Sequence, residues 1–260
     1  MYLVRYGELA LKSKEVRRKF EEILISNIKR VLEKNEKKAT VKNIYGRFLV
    51  ETNENLACLK KVFGVVSFSP CWKTSSSFED IKKFCLEKIE LKKGETFAVR
   101  CNRIGEHSYK SQEVEREIGS LFVEKFGNKV NLTNPDKTVW VDIRNKETYL
   151  YTEIIDGPGG LPIGTAGKVF CEIENFNDII ASWLFMKRGC EIIFSGKTEL
   201  IEDLEKWNSG KSIVTGDPKN LPLIKGDTEI KKWEDKFLTF RPLIGFSQNQ
   251  ILELTKRIKN

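Results

Sequence analysis

The chain has 260 residues, 40% of them hydrophobic and 32% charged, and a formal net charge of +8. It is longer than one typical domain, its composition is that of a globular protein, and no apolar run approaches the ~18 residues that cross a bilayer. The charge points to a polyanionic partner, although a Lys-rich surface that simply stays solvated would look the same. The excess is concentrated in residues 1–60, where 14 Lys and Arg face 8 Asp and Glu.

Tyr2-Leu3-Val4-Arg5-Tyr6 reads as a strand with no leader ahead of it, so we expect a cytoplasmic protein without membrane contact. Lys14 to Lys34 carries Phe20, Ile23, Leu24, Ile28, Val31 and Leu32 at helical spacing. Val41 to Thr52 reads as a strand or a hairpin around Gly46, Asn53 to Val62 as a short helix, and Val65 to Phe68 as a further strand. This β-α-β-β-α-β order predicts a ferredoxin-like N-terminal unit over 1–70. Lys12, Lys14, Arg17 and Arg18 oppose the dipole of the helix they introduce, and with Arg5 they form a candidate phosphate-binding cluster. A solvated charge run is the plainer explanation.

Phe78 to Ile89 is predicted helical and Thr96 to Cys101 extended. Ser111 to Phe126 is an amphipathic helix with Ser111 as its cap and Val114, Ile118, Leu121, Phe122 and Val123 facing inward. Thr138 to Ile143 and Thr148 to Ile155 form a hairpin around Arg144-Asn145-Lys146. Beyond it, Val169-Phe170-Cys171, Glu191 to Phe194, Ser212 to Thr215 and Phe237 to Phe240 are strands. Ile179 to Arg188, Thr198 to Lys206 and a segment from about Gln248 are helices. Such alternation predicts a parallel sheet covered on both faces.

The six cysteines, at 58, 71, 85, 101, 171 and 190, are far apart and form no Cys-x-x-Cys pair. We expect reduced, structural thiols and no metal site. The single histidine, His107, has no neighbouring acid or nucleophile in sequence and is assigned no chemistry.

Two stretches carry a resemblance. FAVRCNRIGEHSYKSQEVEREIGSLFVEKFG followed by VNLTNPDKTVWVDIRNKETYLY resembles the THUMP domain, an RNA-binding module of tRNA-modifying enzymes, here expected over 71–165. The resemblance implies tRNA as partner, with Arg100, Arg103, Lys110 and Arg116 placed to meet phosphates and Lys137 and Arg144 as further candidates. Arginine suits the task because its fork pairs two phosphate oxygens. RYGELALKSKEVRRKF at the start, and GGLPIGTAGKV with ASWLFMKRGCEII later, resemble the tRNA 4-thiouridine synthetase (tRNA sulfurtransferase) family.

In that family an ATP-binding pyrophosphatase loop, Ser-Gly-Gly-x-Asp-Ser, follows the strand. Here those positions are Ile173, Glu174, Asn175, Phe176, Asn177 and Asp178, which differ at all five defining places. A phosphate loop needs small residues so that backbone N–H groups can reach the anion, and acids do the opposite. The residues after Val214-Thr215-Gly216 also depart from the family, the family's catalytic lysine falls on Gln248, and none of the six cysteines lies where its persulfide carrier would be. The expected architecture therefore mixes α/β and α+β parts: a ferredoxin-like unit, a THUMP domain, and over 166–260 a degenerate, truncated Rossmann-like pyrophosphatase-type domain. The expected activity is tRNA binding within 4-thiouridine formation, with no resident cofactor, no catalytic residue and an active tRNA-modifying enzyme as a candidate partner. A divergent ATP-dependent tRNA sulfurtransferase, or a scaffold for an active synthetase, is the alternative.

Overall fold

The computed structural model describes residues 1–7, 13–44, 46–210, 214–215, 220–232, 235 and 238–260. The chain forms two compact units, residues 1–4, 42–53 and 68–155 in the first and 5–41, 54–67 and 156–260 in the second. The mixed α/β class expected from the sequence is what forms.

One sheet contains β1 (Tyr2–Tyr6), β2 (Thr40–Asn43), β3 (Phe48–Glu51), β4 (Val65–Pro70) and β9 (Ile155–Asp156), in the order β2-β3-β1-β4-β9. The ferredoxin-like order is thus present, and β1 runs antiparallel to β3 with Leu3 opposite Leu49. Helix α1 (Lys14–Lys34) buries Leu24, Ile28 and Leu32, one residue per turn, while Phe20, Ile23 and Val31 border that stripe half-buried. The expected second helix of this region is a 3-10 turn, Ala57–Lys61, too short for an α-helix because Asn55 and the extended Val62 close it at both ends.

The first unit holds a four-stranded sheet, β5 (Trp72–Ser75), β8 (Glu147–Tyr151), β7 (Lys137–Arg144) and β6 (Phe97–Ile104), hydrogen-bonded in that order. β7 and β8 form the expected hairpin, and Asn145 takes the left-handed conformation (φ 53°) that its turn requires. Helices α2 (Phe78–Lys88) and α3 (Ser111–Phe126) complete a core built on Phe97, Ile118, Phe122, Val139 and Val141. The cap of α3 differs from expectation. Lys110 holds the capping position and its N–H donates to Glu113 at 2.7 Å, because the carboxylate three residues into the helix binds better than a serine already inside it. Val123 is exposed, not inward, since it lies one position round the helix from the buried Phe122.

The second unit contains a parallel sheet, in the order β12-β11-β10-β13-β14, with β10 (Lys168–Ile173) at its centre. Its other strands are β11 (Glu191–Gly196), β12 (Val214–Thr215), β13 (Leu223–Ile224) and β14 (Thr239–Phe240). Residues 211–213 and 236–237, where two strands were expected to begin, lie outside the described residues. α4 (Phe176–Lys187) is buried along most of its length, with α6 (Gln248–Lys259) packed on it. Between them in sequence, the expected Thr198–Lys206 helix is a 3-10 turn, Thr198–Leu200, followed by one α-turn, α5 (Glu202–Glu205). Phe63 belongs to this core: its ring stacks on Trp207 at 5.6 Å and meets Trp183 edge-on at 5.3 Å.

Candidate RNA-binding surface and nucleotide loop

Strand β6 and helix α3 leave a groove of about 610 Å³ between them, floored by Phe97, Val99, Val123, Val130 and Leu132 and flanked by Arg100 and Arg116. Val123, Val130 and Leu132 are 44, 47 and 61% exposed, a strip of apolar surface that water does not favour leaving open. Arg100 reaches across it, its Nη2 donating to the carbonyl of Leu132, and Arg116 has a 73% exposed side chain near Glu117 at 3.7 Å. Such a pair is worth little in water, so Arg116 is available to another anion. Glu115 also lines the groove, but its carboxylate accepts the N–H of Cys101 at 2.7 Å, a donor in the middle of the edge strand β6.

The other cations of the first unit have different surroundings. Arg103 Nη1 donates to the carbonyl of Gly105 at 3.2 Å and approaches His107 Nδ1 at 3.3 Å. His107 Nε2 lies 2.6 Å from the carbonyl of Asn145, which can only accept, so this nitrogen carries the proton and Nδ1 accepts from Arg103. The histidine thereby ties the 105–107 turn to the β7–β8 hairpin. Lys110 is exposed at the start of α3. Lys137 donates to the carbonyl of Glu90 at 2.8 Å and lies 3.6 Å from Glu95. Arg144 is 3% exposed and pairs with the buried Asp142 at 2.5 Å, which leaves it no surface to offer a phosphate. Burial pushes the Cys85 thiol up to about 12 and the Cys101 thiol up to about 11, so neither is a ready nucleophile.

In the second unit, Arg5 donates to Ser67 at 3.3 Å and Arg17 pairs with Glu21 at 2.8 Å. Glu21 also accepts from the Tyr6 hydroxyl, whose pKa is pushed up to about 12 by burial and then by that carboxylate. Lys14 is exposed, and Arg18 is 79% exposed with Glu22 3.6 Å away. Lys12 lies outside the described residues. The structure thus brings Arg100 and Arg116 together in one groove and spreads the remaining candidates.

The loop at which the family resemblance places a nucleotide follows the carboxyl end of β10. Asp178, 6% exposed, accepts the N–H of Glu174 and of Asn175 on Oδ2, both at 3.1 Å, and the N–H of Gly226 on Oδ1 at 2.8 Å. Asn175 Oδ1 accepts the N–H of Asn177 at 2.8 Å. Glu174 on the same loop is exposed, as is Glu172 near the end of β10. The acids that seemed to belong to a loop in sequence are in part the N-terminal cap of α4, which begins at Phe176, three residues before the first periodic apolar position. Nearby, Arg241 bonds Asp227 at 2.8 Å and forks onto Asp235 at 2.7 and 2.8 Å. Burial raises the Cys171 thiol to about 12. Among the described residues no cluster of His, Cys, Asp and Glu could hold a metal ion, and no helix is long and apolar enough to cross a membrane.

Sequence reasoning missed the apolar floor of the groove and the seating of Asp178. The exposed alternation of Val130 and Leu132 was a usable signal for the first, and the spacing of Asn175 and Asp178 as cap and third helical residue for the second.

The chain thus joins a ferredoxin-like sheet, a four-stranded sheet with two helices, and a parallel α/β unit. The ThiI ferredoxin-like domain model matches residues 1–69 and the THUMP domain model residues 75–153. The chain is 32% identical to the probable tRNA sulfurtransferase of Saccharolobus islandicus strain L.S.2.15, with 97% of this chain and 84% of that one covered. It is 42% identical to the probable tRNA sulfurtransferase of Methanobrevibacter smithii over 74% of this chain and 52% of the relative, and so spans about half the length of that protein. The chain belongs to the tRNA sulfurtransferase family. Its fold matches PH1313 from Pyrococcus horikoshii Ot3 (TM-score 0.82, 27% identity, 100 and 99% of the chains covered). It also matches a 4-thiouridine synthetase solved as an RNA complex with bound ATP (TM-score 0.77, 26% identity, 99 and 84% covered).

Proposed function

We propose that this chain binds tRNA through the arginine-flanked groove of its first unit and serves 4-thiouridine formation as the RNA-binding component, without adenylating the base itself. The family, and the relative solved with RNA, support the tRNA partner; the groove supplies cations beside an apolar floor, the pairing that backbone phosphates and exposed bases require. One observation carries the second half of the reading: a buried carboxylate sits on the loop amides that a phosphate would need. A negative group there repels the triphosphate that adenylation consumes.

Parallel titrations of one preparation test the reading. A labelled tRNA is expected to bind with strong salt dependence, and ATP to show no saturable binding and no pyrophosphate exchange. ATP-dependent thiolation or adenylation of tRNA by the purified chain would establish the rival reading, an active sulfurtransferase.

A further inference from the structure

An ordinary helix cap explains only part of what Asp178 does. Its bond to the N–H of Asn175 is the usual reach of a third-position acid to the cap residue. The bond to Glu174 goes one residue further out, and the bond to Gly226 crosses to the segment after β13. There the two backbones touch. A Cβ added at Gly226 would lie 2.4 Å from the carbonyl carbon of Asn177 and 2.6 Å from the nitrogen of Asp178, so only glycine permits the approach. The next residue, Asp227, holds Arg241 beyond β14. Lys197, beyond β11, donates its N–H to the carbonyl of Ile173 at the end of β10 at 2.8 Å. Segments following four strands are therefore tied together at the carboxyl edge of a parallel sheet, the edge where such sheets take their ligands.

We infer that Asp178 is a built-in stopper of this site. Its carboxylate occupies the backbone donors that face the sheet edge and clamps residues 225–227 over them, so the site is closed by the chain itself. The inference rests on the reading that the chain does not adenylate alone, and adds that the closure depends on one side chain and one glycine contact. A phosphate would have to displace a carboxylate that is already bound through three N–H donors.

The test uses the full chain with Asp178→Ala and Asp178→Asn, read by amide hydrogen exchange and by thermal melts with and without inorganic pyrophosphate. In wild type, the amides of Glu174, Asn175 and Gly226 are expected to be protected and pyrophosphate to leave the melting temperature unchanged. In Asp178→Ala, exchange at Glu174 and Gly226 is expected to rise at least tenfold while Asn177, held by Asn175, changes less than twofold, and pyrophosphate is expected to raise the melting temperature. Unchanged protection at Gly226 overturns the inference, and so does opening without any response to pyrophosphate, or an equal response in wild type. Asp178→Asn keeps the size of the side chain, and if the alanine variant does not fold it decides: it must lose protection at Gly226 or at Glu174, and identity with wild type in both readouts overturns the inference. Pyrophosphate exchange by wild type would instead remove the reading beneath it, a separate outcome on a separate assay.

Discussion

Replacing Arg100 and Arg116 together by glutamine is the most direct test of the groove. Glutamine keeps polarity and much of the length but removes two charges, and neither arginine is in the core, so folding stability is expected to move by no more than about 0.5 kcal/mol. If each arginine meets one phosphate, the slope of log affinity against log salt becomes shallower by ~0.9 per contact, or ~1.8 for the pair. Between about 50 and 200 mM salt, that slope difference means the wild type loses about tenfold more affinity than the variant. The assay is fluorescence anisotropy of labelled tRNA across that salt range, with circular dichroism to confirm the fold. An unchanged slope would refute the placement of phosphates in the groove, whatever happens to the affinity at one salt concentration.

Three further outcomes follow from the packing. Phe63→Ala should cost about 3–5 kcal/mol in urea unfolding followed by tryptophan fluorescence, because a fully buried ring in contact with Trp183 and Trp207 is lost; a loss under about 1 kcal/mol would contradict its place in that core. Asp142→Ala should cost about 3–5 kcal/mol, since it leaves the buried Arg144 guanidinium without its carboxylate, whereas calorimetry showing a stable variant would place Arg144 at the surface after all. The Cys85 and Cys171 thiols, both raised by burial to about 12, keep their protons in the folded chain while unfolded thiols lose theirs from about pH 8.5 upward. The native state then holds more protons, so stability is full below about pH 8 and falls as pH rises, by about 1.4 kcal/mol per pH unit for each thiol until its folded pKa is reached. Urea midpoints from pH 8 to 10 should fall more steeply for wild type than for Cys85→Ala or Cys171→Ala, and parallel curves would exclude the effect.

What was legible in the sequence was what repeats. The alternation in Val139, Val141 and Ile143 against Thr148 and Leu150 revealed the hairpin, and the spacing of Val114, Ile118 and Phe122 revealed α3. Short elements held by their neighbours were not legible. β5 has only Trp72 to Ser75, mostly exposed, and exists because β8 supplies its hydrogen bonds. β13 is two residues after Pro222 and is placed by its pairing with β10 and β14. The site divides in the same way. Arg100 and Arg116 were reached through the resemblance to the THUMP domain, and both flank the groove. The burial of Arg144 could not be read, because this residue ends a central strand whose last four residues are buried on both faces, and no local pattern announces the burial of a charged pair. The acids around the start of α4 were readable in the sequence. Which of them meets the loop amides was not, since Glu172 and Glu174 are exposed and Asp178 accepts the N–H groups.

The packing of the second unit gives a physical reason for its α/β frame to persist whatever residues its loop carries. α1 rests on it through Asn27, whose Nδ2 donates to the carbonyl of Ile163 at 3.0 Å, and through Arg30 Nη1, which donates to the carbonyl of Ser209 at 2.8 Å. Phe63 enters the same core from a segment matched by the ferredoxin-like model. Removing α4 or Trp207 would therefore expose apolar surface contributed by the N-terminal third of the chain as well as by the α/β unit. Substitutions in the loop meet no such penalty. Residues 174 and 175 are exposed, and their amides need only some acceptor, which Asp178 provides. Under these constraints the loop can vary position by position while the sheet, α4 and the aromatic cluster around Phe63 stay fixed by what leans on them.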